Sequence, residues 1–429
     1  MALIRTYRFL LVLSGLIGIG SWWPCELMGQ TINQFDWVKP LPGEPIGTAI
    51  DTRRNTYVLT AGNTLVEFDA RGRERWRETF AAWPAITQLT TDRAGNLLLA
   101  GFFTNAATVG DSTFTLPNTY TPNTFLAKLD STHRLVWTRQ VPGPDYLDYP
   151  AGLKTDSLGY TYLLGARVSG PVLIQIDPLG QRFDKQPLFS MVQPAPLPTS
   201  LDIDTDGHVV ATLTQTGRLA SFGVAQKIVL GITAWSRYVD EGLPTTTGSY
   251  NTNALQVSID KQRNSYVLSN YTLPDPTSGK VLETGQALLK LDVSGTRIWQ
   301  KSGPTVADSA QATGLLVDPA GAVITYGAYT GRFIAGSAPV RYSTDDYIGL
   351  TQYAPNGDQR WTTRFGSTTG NDKLYQVARD ANGALLVTAG TTGPIPLGTL
   401  SISGTPEAPA YYLAKLQPAQ LQPDSRTIL

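Results

Sequence analysis

Three neighbouring aspartates form a pattern that could bind a metal ion. Asp202, Asp204 and Asp206, followed by Gly207, give the order D-x-D-x-D-G that opens a calcium loop, in which alternate carboxylates coordinate the ion. The twelfth position of such a loop supplies a bidentate Glu, but here it is Leu213. Asp204 also belongs to a repeated turn. We therefore predict no metal ligands and keep calcium binding by these three aspartates as the alternative.

The two histidines offer little catalytic chemistry. His133 and His208 each lie in a repeat turn with no nucleophile motif nearby, so we predict neither a Ser-His-Asp triad nor a histidine metal site, and expect both imidazoles to be solvated. Glycosidases use two carboxylates roughly 5 to 10 Å apart. The sequence cannot place such a pair, because turns explain the repeated aspartates. We predict no catalytic residues, no cofactor-binding residues and no cofactor.

The composition excludes several classes of protein. Lys plus Arg and Asp plus Glu both number 34, so the net charge is zero and nothing suggests a nucleic-acid-binding surface. Charged residues make up 16% and hydrophobic residues 41%, with 41 Gly and 29 Pro, which is typical of a turn-rich all-β protein. Cys25 is the single cysteine, so disulfides, thiolate nucleophiles and cysteine-based metal sites are excluded from the chain after it.

The elements that must position these residues recur along the chain. Residues 86–141 contain four apolar runs, ITQLTT, LLLAGFF, TFLAKL and LVWTRQV, and the polar turns DRAGN and DSTHR divide the first pair and the last pair. Asp bonds its own backbone, and Gly and Asn tolerate positive φ, so each pair predicts a β-hairpin. A sheet of four such strands cannot bury its faces alone and needs neighbours of its own kind.

The first turn of this unit recurs with Asp at a fixed place. Its seven copies are Asp51, Asp92, Asp156, Asp204, Asp260, Asp318 and Asp380. Neighbouring copies are 41 to 64 residues apart. Four-stranded repeats of roughly this length predict a β-propeller.

The second half of the unit also recurs, and its last strand carries a Trp at a fixed distance from the turn. The pairs are Asp69 with Trp76, Asp130 with Trp137, Asp292 with Trp299, and, without the Asp, Ala354 with Trp361. The third unit has Asp184 where Trp is expected, and the fourth unit matches weakly. We expect the four Trp residues to be structural.

We therefore predict an all-β fold, a single seven-bladed β-propeller over residues 30–429 with four antiparallel strands in each blade. The blades are expected at about residues 46–84, 85–144, 149–190, 199–242, 252–303, 311–366 and 373–416. Residues 33–40, around Trp37, resemble a fourth strand without a blade, so we expect them to pair with the strand around Tyr412 and close the ring. The alternative is a loose N-terminal arm, with the C-terminal SRTIL as the outer strand.

Residues 1–29 are typical of a signal peptide. Arg5 and Arg8 precede an apolar run, FLLVLSGLIGIGSWW, that is too short to span a bilayer comfortably. A retained anchor and a lipoprotein modified at Cys25 are the alternatives, although the residues before Cys25 are not the small ones that lipidation needs. We expect an exported bacterial protein, periplasmic, on the cell surface or secreted, with no membrane span in the mature chain.

Three blades carry longer middle connectors. Those of the second, sixth and seventh predicted blades contain Thr-rich runs of small residues that could add a hairpin. We expect these connectors on one face of the disc and regard them as the candidate binding surface, since loops on a rigid scaffold often carry function. The alternative is that they are tolerated insertions.

The pattern GFF…TVGDSTFTL…NTFLAKLDSTHRLVWTRQV, with DANGALLVTAGTT and YYLAKL near the end, resembles the SBBP-type β-propeller repeats of exported bacterial proteins. The resemblance covers most of the chain and implies the fold without implying an activity. Asn55 and Tyr57 match the usual D-x-x-G-N-x-Y-V-x-G, whereas Gly321-Ala322 departs from it. The spaced Asp, Gly and Trp are also similar to the tryptophan-docking repeats of quinoprotein dehydrogenases. Because the Gly falls one position earlier here, we expect the Trp to serve blade packing.

Two classes of function follow from this pattern. The first is an extracytoplasmic, non-catalytic β-propeller that acts as a binding or scaffold module for protein or glycan, with no nucleic-acid partner, and is a monomer. The second is a polysaccharide-acting hydrolase or lyase with its site at the central channel mouth. Carboxylates, Arg and exposed aromatic residues clustered at that mouth would favour the enzyme, whereas a bare, Thr-rich face would favour binding.

Overall fold

A computed structural model describes residues 35–115, 122–141, 149–167, 170–188, 196–216, 221–239, 251–274, 278, 281–302, 310–335, 338–367, 369–397 and 400–417. The predicted signal peptide at residues 1–29 and the C-terminal SRTIL lie outside these described residues. Seven four-stranded antiparallel sheets and two short hairpins make up the described chain, which contains no helix. The prediction of an all-β, seven-bladed propeller is therefore confirmed.

Each blade runs from an inner strand, which lines a central channel, to an outer strand. Blade 1 consists of β2 (Pro45–Ile50), β3 (Thr56–Thr60), β4 (Thr64–Phe68) and β5 (Glu74–Thr79). Blade 2 consists of β6 (Ile86–Thr91), β7 (Leu97–Phe103), β10 (Asn123–Leu129) and β11 (Leu135–Gln140), with the hairpin β8 (Ala107–Val109) and β9 (Ser112–Phe114). Blade 3 consists of β12 (Tyr149–Thr155), β13 (Thr161–Arg167), β14 (Gly170–Ile176) and β15 (Phe183–Pro187).

The remaining blades follow the same order. Blade 4 consists of β16 (Leu197–Ile203), β17 (Val209–Thr216), β18 (Ser221–Val229) and β19 (Ile232–Tyr238). Blade 5 consists of β20 (Asn251–Ile259), β21 (Ser265–Pro274), β22 (Val281–Leu291) and β23 (Arg297–Ser302). Blade 6 consists of β24 (Ala310–Val317), β25 (Val323–Ala335), β26 (Ala338–Tyr353) and β27 (Gln359–Phe365). Blade 7 consists of β28 (Asp372–Arg379), β29 (Leu385–Thr391), β32 (Ala410–Leu416) and β1 (Trp37–Pro40), with the hairpin β30 (Pro394–Leu397) and β31 (Leu400–Ser403).

The N-terminal strand closes the ring. In β1, Trp37 lies opposite Lys415 and Pro40 lies opposite Tyr412 of β32, in antiparallel register. The Leu41 amide extends the pairing by donating to the Tyr411 carbonyl at 2.8 Å. This strand gives hydrogen-bond partners to an edge that would otherwise be open. The predicted closure around Tyr412 is confirmed.

The repeated Asp organises the turn between the first two strands of each blade. In blade 1, Oδ1 of Asp51 accepts hydrogen bonds from the amides of Arg53 and Asn55 at 2.9 and 2.8 Å. The residue before Asn55 has positive φ, and in blade 2 the equivalent residue is Gly95 at 81°. We call the face of the disc formed by these turns, and by those between the third and fourth strands, the turn face.

Each inner strand contains a β-bulge at the same position. The register shifts by one residue between Ile86 and Gln88 in β6, and the other six inner strands shift at the equivalent residues. A bulge increases local twist and re-aims the side chains that follow it. The seven bulges therefore set which side chains face the channel.

Outer-strand Trp residues pack on the next blade. Trp137 covers Gly180 and Trp235 covers Gly295, so close that a Cβ on either Gly would lie 2.9 or 2.7 Å from indole atoms. Trp235 belongs to blade 4, whose sequence matches the repeat weakly, and its indole donates to the Val293 carbonyl at 3.1 Å. The expectation that the repeat Trp residues are structural is confirmed, because the four pack in inter-blade cores: Trp76, Trp137, Trp299 and Trp361.

Two of the longer middle connectors each place an apolar side chain in an inter-blade core. Blades 2 and 7 add the predicted hairpins, whereas blade 6 lengthens β25 and β26, which pair out to Ala335 and Ala338. Val109 is fully buried between blades 1 and 2, and Ile395 is buried between blades 6 and 7. Both hairpins thus contribute an apolar side chain to the packing between blades, and the role of the connectors as a binding surface stays a prediction.

Candidate functional site

A central channel lies between the seven inner strands. It has a volume of about 440 Å³, and the seven inner strands line it mainly with Thr, Ser, Gln, Ala, Gly and Leu. Its charged lining residues are Lys154 of β12 and Arg379 of β28. Each has a carboxylate partner: Lys154 Nζ lies 3.6 Å from Asp202 Oδ1, and Arg379 Nη1 lies 3.3 Å from Asp318 Oδ2. The described lining of the channel is therefore polar, and both of its charged side chains are paired.

Polar side chains also link the inner strands to one another. Gln376 Oε1 accepts the Thr48 amide of the next blade at 2.7 Å, and Gln256 Oε1 accepts the Leu315 amide at 2.9 Å. Asp202 Oδ2 accepts a hydrogen bond from the Ile259 amide of the next blade at 2.9 Å. An inner strand has an unpaired edge toward the channel, so each of these contacts supplies a partner for an edge amide. Gln376, Gln256 and Asp202 therefore have a structural role, because they join the inner strands of neighbouring blades.

A second hollow, of about 330 Å³, opens on the turn face. It is bounded by the first turns of blades 1 to 4, and the residue after each turn Asp lines it: Thr52, Arg93, Ser157 and Thr205. Thr91 and Thr155 add hydroxyl groups, which donate to the carbonyls of the preceding blade at 2.9 Å. The mouth of the channel on this face is therefore rich in hydroxyl groups.

The carboxylates at this mouth are held by their own turns. Asp92 accepts the amides of Ala94 and Asn96 at 2.9 Å and the Asn96 side chain at 2.7 Å, and it lies 3.0 Å from Lys128 Nζ. Burial by itself raises the pKa of Asp92, but the hydrogen bonds from Asn96 and the Lys128 ammonium outweigh it and lower the pKa below the ordinary value. Asp156 accepts the amides of Leu158 and Tyr160 at 2.9 Å.

The aspartates of the candidate calcium loop have separate partners. Asp204 accepts the amides of Asp206 and His208 at 3.0 and 2.9 Å and lies 3.6 Å from Lys227 Nζ. Asp206 forms an ion pair with Arg263 of the next blade at 2.5 Å, and Asp202 pairs with the inner strand of that blade. Within the described ranges, no three His, Cys, Asp or Glu side chains lie close enough to hold a metal ion.

Both histidines contact carboxylates, so the expectation that they are solvated is wrong. His133 Nε2 lies 3.1 Å from Glu67 Oε2, with 15% of the His133 side chain exposed. His208 Nδ1 lies 3.1 Å from Asp204 Oδ2, where other turns place an Asn amide. Each histidine replaces a repeat residue, Gly in one turn and Asn in the other, and this replacement is the sequence signal that could have shown a special role.

Apolar side chains are exposed on the turn face of blades 3 to 5. Leu230 is 92% exposed and Ile232 71% exposed, beside the last turn of blade 4. The flanking blades expose further apolar residues in their turns: Leu158, Leu179 and Val293. Trp235 bridges blades 4 and 5 at this point through its bond to the Val293 carbonyl. The exposed residues therefore belong to consecutive turns on one side of the disc.

Comparisons with known proteins agree on the fold alone. No family model matches the chain, and no curated protein matches it. Chaetomium thermophilum Raptor is similar over 89% of this chain and 29% of its own, with a TM-score of 0.51 and 10% identity. Virginiamycin B lyase from Staphylococcus aureus is similar over 88% of this chain and 98% of its own, with a TM-score of 0.50 and 10% identity. BamB from Moraxella catarrhalis has a TM-score of 0.40 and 10% identity, over 89% of this chain and 99% of its own.

The similarities to Raptor and to virginiamycin B lyase agree with the propeller fold. At this level of identity they carry no activity and no ligand to this chain. The SBBP repeat type stays a prediction, because no family model matches. Among the described residues, no helix is both long enough and apolar enough to cross a bilayer.

Proposed function

We propose that this chain is an extracytoplasmic, non-catalytic β-propeller that binds a protein partner through its turn face. The main support for this proposal is that the turn carboxylates are already engaged in hydrogen bonds within their own turns. Each accepts backbone amides of its own turn, as Asp51, Asp92 and Asp380 illustrate. A hydrolase needs carboxylates that are free to exchange protons or attack substrate. Carboxylates engaged in this way support a scaffold.

The lining of the hollows also supports binding to a macromolecule. Sites for small ligands are usually lined by apolar and aromatic side chains that enclose most of the ligand. In the described chain neither hollow is lined by Phe, Tyr or Trp. The exposed aromatic cluster that would favour a polysaccharide-acting enzyme is therefore not among these lining residues, and the hydrolase or lyase remains the less supported alternative.

The exposed apolar turns favour protein over glycan. Leu158, Leu230 and Ile232 lie on consecutive blades and are each more than two-thirds exposed. Large apolar side chains exposed on one face support a protein interaction site there. Neighbouring polar residues such as Asp206 and Arg263 would form the rim. We therefore place the proposed interface on the turn face of blades 3 to 5.

The test compares variants of residues 30–429 as bait against extracytoplasmic extract, with cross-linking. We expect a specific protein to be captured by the wild type and lost with Leu230→Asp/Ile232→Asp. Val136→Asp, on the outer strand of blade 2 where Val136 is 55% exposed, is the control and should retain it. Binding on a glycan array that is unaffected by the double variant would contradict a protein partner at this face. Fractionation of the full chain and of a chain lacking residues 1–29 tests export.

A further inference from the structure

Basic side chains are concentrated on the turn face of blades 1 and 2. The four turns there, at residues 51–55, 69–73, 92–96 and 130–134, carry six arginines, which we call the arginine surface: Arg53, Arg54, Arg71, Arg73, Arg93 and Arg134. Five of these residues are exposed, and Arg54 is half-buried. The corresponding turns of the other five blades carry Arg182, Lys261 and Arg263. The zero net charge of the chain therefore conceals a local excess of positive charge.

The carboxylates of these turns pair with two of the six arginines. Arg53 Nε lies 3.2 Å from Asp51 Oδ2, and Arg73 Nε lies 2.8 Å from Asp69 Oδ2. The other four side chains form no ion pair within 4 Å among the described residues: Arg54, Arg71, Arg93 and Arg134. These four guanidinium groups keep their hydrogen-bond donors for an anion from outside the chain.

The two remaining turn acids of these blades already have partners of their own. Asp92 is buried, accepts the hydrogen bonds of its turn and lies 3.0 Å from Lys128 Nζ. Asp130 Oδ1 accepts the Thr132 hydroxyl at 2.7 Å and the Thr132 amide at 2.8 Å. Both carboxylates therefore face their own turns, and neither holds an arginine side chain of the arginine surface.

Arg54 occupies a backbone position that is unfavourable for it. Its φ is 68°, and five of the seven first turns have Gly at this position: Gly95, Gly159, Gly207, Gly321 and Gly383. The seventh has Arg263, with φ of 65°, whose guanidinium pairs with Asp206 of the preceding blade at 2.5 Å. That ion pair explains Arg263, whereas the Arg54 side chain has no hydrogen-bond partner among the described residues. Unfavourable backbone of this kind concentrates at functional sites, which supports a binding role for Arg54.

The arginine surface crosses from blade 1 to the channel mouth. The Arg53 guanidinium lies over the first turn of blade 2, because a Cβ on Gly95 would be 3.0 Å from its Nη2 atom. Arg93 borders the hollow at the channel mouth together with Thr52 and Ser157. Blade 3 follows with the exposed Leu158 beside Ser157. The arginine surface therefore adjoins the exposed apolar turns of blades 3 to 5 on the same face.

We propose that the arginine surface binds an acidic segment, rich in Asp and Glu, of the protein partner at the turn face. This inference rests on the proposed function, because it names the chemistry of that partner. A guanidinium donates two parallel hydrogen bonds to one carboxylate, whereas an ammonium acts as a point charge. The four turns contain Arg and no Lys, although attraction to an anionic membrane would use either residue. The choice of Arg therefore favours carboxylates of a protein over a lipid surface.

Fluorescence anisotropy of a labelled oligo-glutamate peptide with the full chain tests the arginine surface directly. The variant Arg54→Gly/Arg71→Ser/Arg93→Thr/Arg134→Thr gives each position a residue that other repeats carry there, so it should fold with an unchanged Tm. We expect the wild type to bind the peptide and the variant to bind it at least about tenfold more weakly at about 0.15 M salt. Failure of the wild type to bind would overturn the proposal without reference to any variant.

The matched control removes four exposed cations from blades 3, 5, 6 and 7: Arg182→Ser/Lys261→Thr/Arg360→Thr/Lys373→Thr. It changes the net charge by the same amount and should retain wild-type binding. Equal weakening in the two variants would reduce the effect to net charge and overturn the arginine surface. Heparin, a DNA oligonucleotide and phosphatidylglycerol vesicles are measured alongside, and tighter binding of any of them through the same arginines would overturn an acidic protein segment.

Capture from extracytoplasmic extract separates this inference from the proposed function. We expect the captured protein to be lost with the arginine variant and retained with the control variant. A protein captured equally by the wild type and the arginine variant would leave protein binding at the turn face intact and overturn the acidic segment. Capture of no protein would contradict the proposed function, whereas peptide anisotropy would still decide whether the arginine surface binds carboxylates.

Discussion

Trp37, the first residue of the N-terminal strand, lies directly on Gly72 of blade 1. A Cβ on Gly72 would come within 2.5 Å of the indole, and the indole Nε1 donates to the Ala70 carbonyl at 3.4 Å. The closing strand is therefore fixed twice, by backbone pairing to blade 7 and by side-chain docking on blade 1. Closure and docking use the same residue, so they should be lost together.

Gly72→Ala should destabilise the ring more than its backbone conformation alone explains. Gly72 has φ of 75°, which costs about 1 to 2 kcal/mol for Ala, and the clash with Trp37 adds about 1 to 3 kcal/mol. Gly62→Ala is the matched control, because Gly62 has φ of 79° and no atoms within 4 Å of the added Cβ. Urea unfolding measures both. An equal loss of unfolding free energy in the two variants would mean that the Trp37 side chain does not hinder a Cβ at position 72.

Removing residues 31–42 should open the ring. The deletion takes away β1, the buried Val38 and the contact of Trp37 with Gly72, and it exposes the edge of β32. We expect a markedly lower unfolding midpoint together with self-association, measured by urea titration and light scattering. Deletion of 420–429 should do little. The reverse ranking of the two truncations would contradict closure by the N-terminal strand.

The buried pair in blade 4 should show strong coupling. The side chains of Lys227 and Asp204 are 2% and 0% exposed, with Nζ and Oδ2 3.6 Å apart. Removing one partner leaves a buried charge uncompensated, so Lys227→Met should cost about 3 to 5 kcal/mol of unfolding free energy. Lys227→Met/Asp204→Asn should recover most of this loss, because Asn can still accept the turn amides. Chemical denaturation of the double-mutant cycle gives the coupling, and simple additivity would refute it.

Acid should weaken the turn of blade 2 through Asp92. A carboxyl whose pKa is lowered in the folded state contributes stability above its ordinary value of about 3.9, and that contribution is lost as pH falls through the folded value. Asp92→Asn should therefore cost about 1 to 3 kcal/mol at neutral pH and progressively less toward about pH 3. Asp184→Asn, at a side chain 59% exposed, is the control. A constant difference between wild type and Asp92→Asn across this pH range would contradict the prediction.

The sequence by itself determined the number of blades, the place of the turns and the closure. These features depend on interactions between residues close together in the chain, and the spacing of residue types in the sequence indicates such interactions directly. Asp51 and Asn55 are four residues apart and complete their turn without help from another blade. Counting such turns gives seven blades, and the unmatched strand at Trp37 supplies the missing partner of β32. The resemblance of the pattern to the β-propeller repeats of exported bacterial proteins implied the same fold.

The tertiary structure decided which side chains meet across blades. The sequence predicts that His133 is a turn residue. In the structure its imidazole contacts Trp76 and Glu67 of the preceding blade. The sequence places Val109 in a surface connector, but in the structure it is buried between two blades. Such contacts join residues that are distant in sequence, and their partners depend on blade twist and bulge position. A local sequence pattern does not encode twist or bulge position. For this reason the contacts of His133 with Trp76 and Glu67, and the hydrogen bonds of the carboxylates near the channel, are seen only in the folded ring.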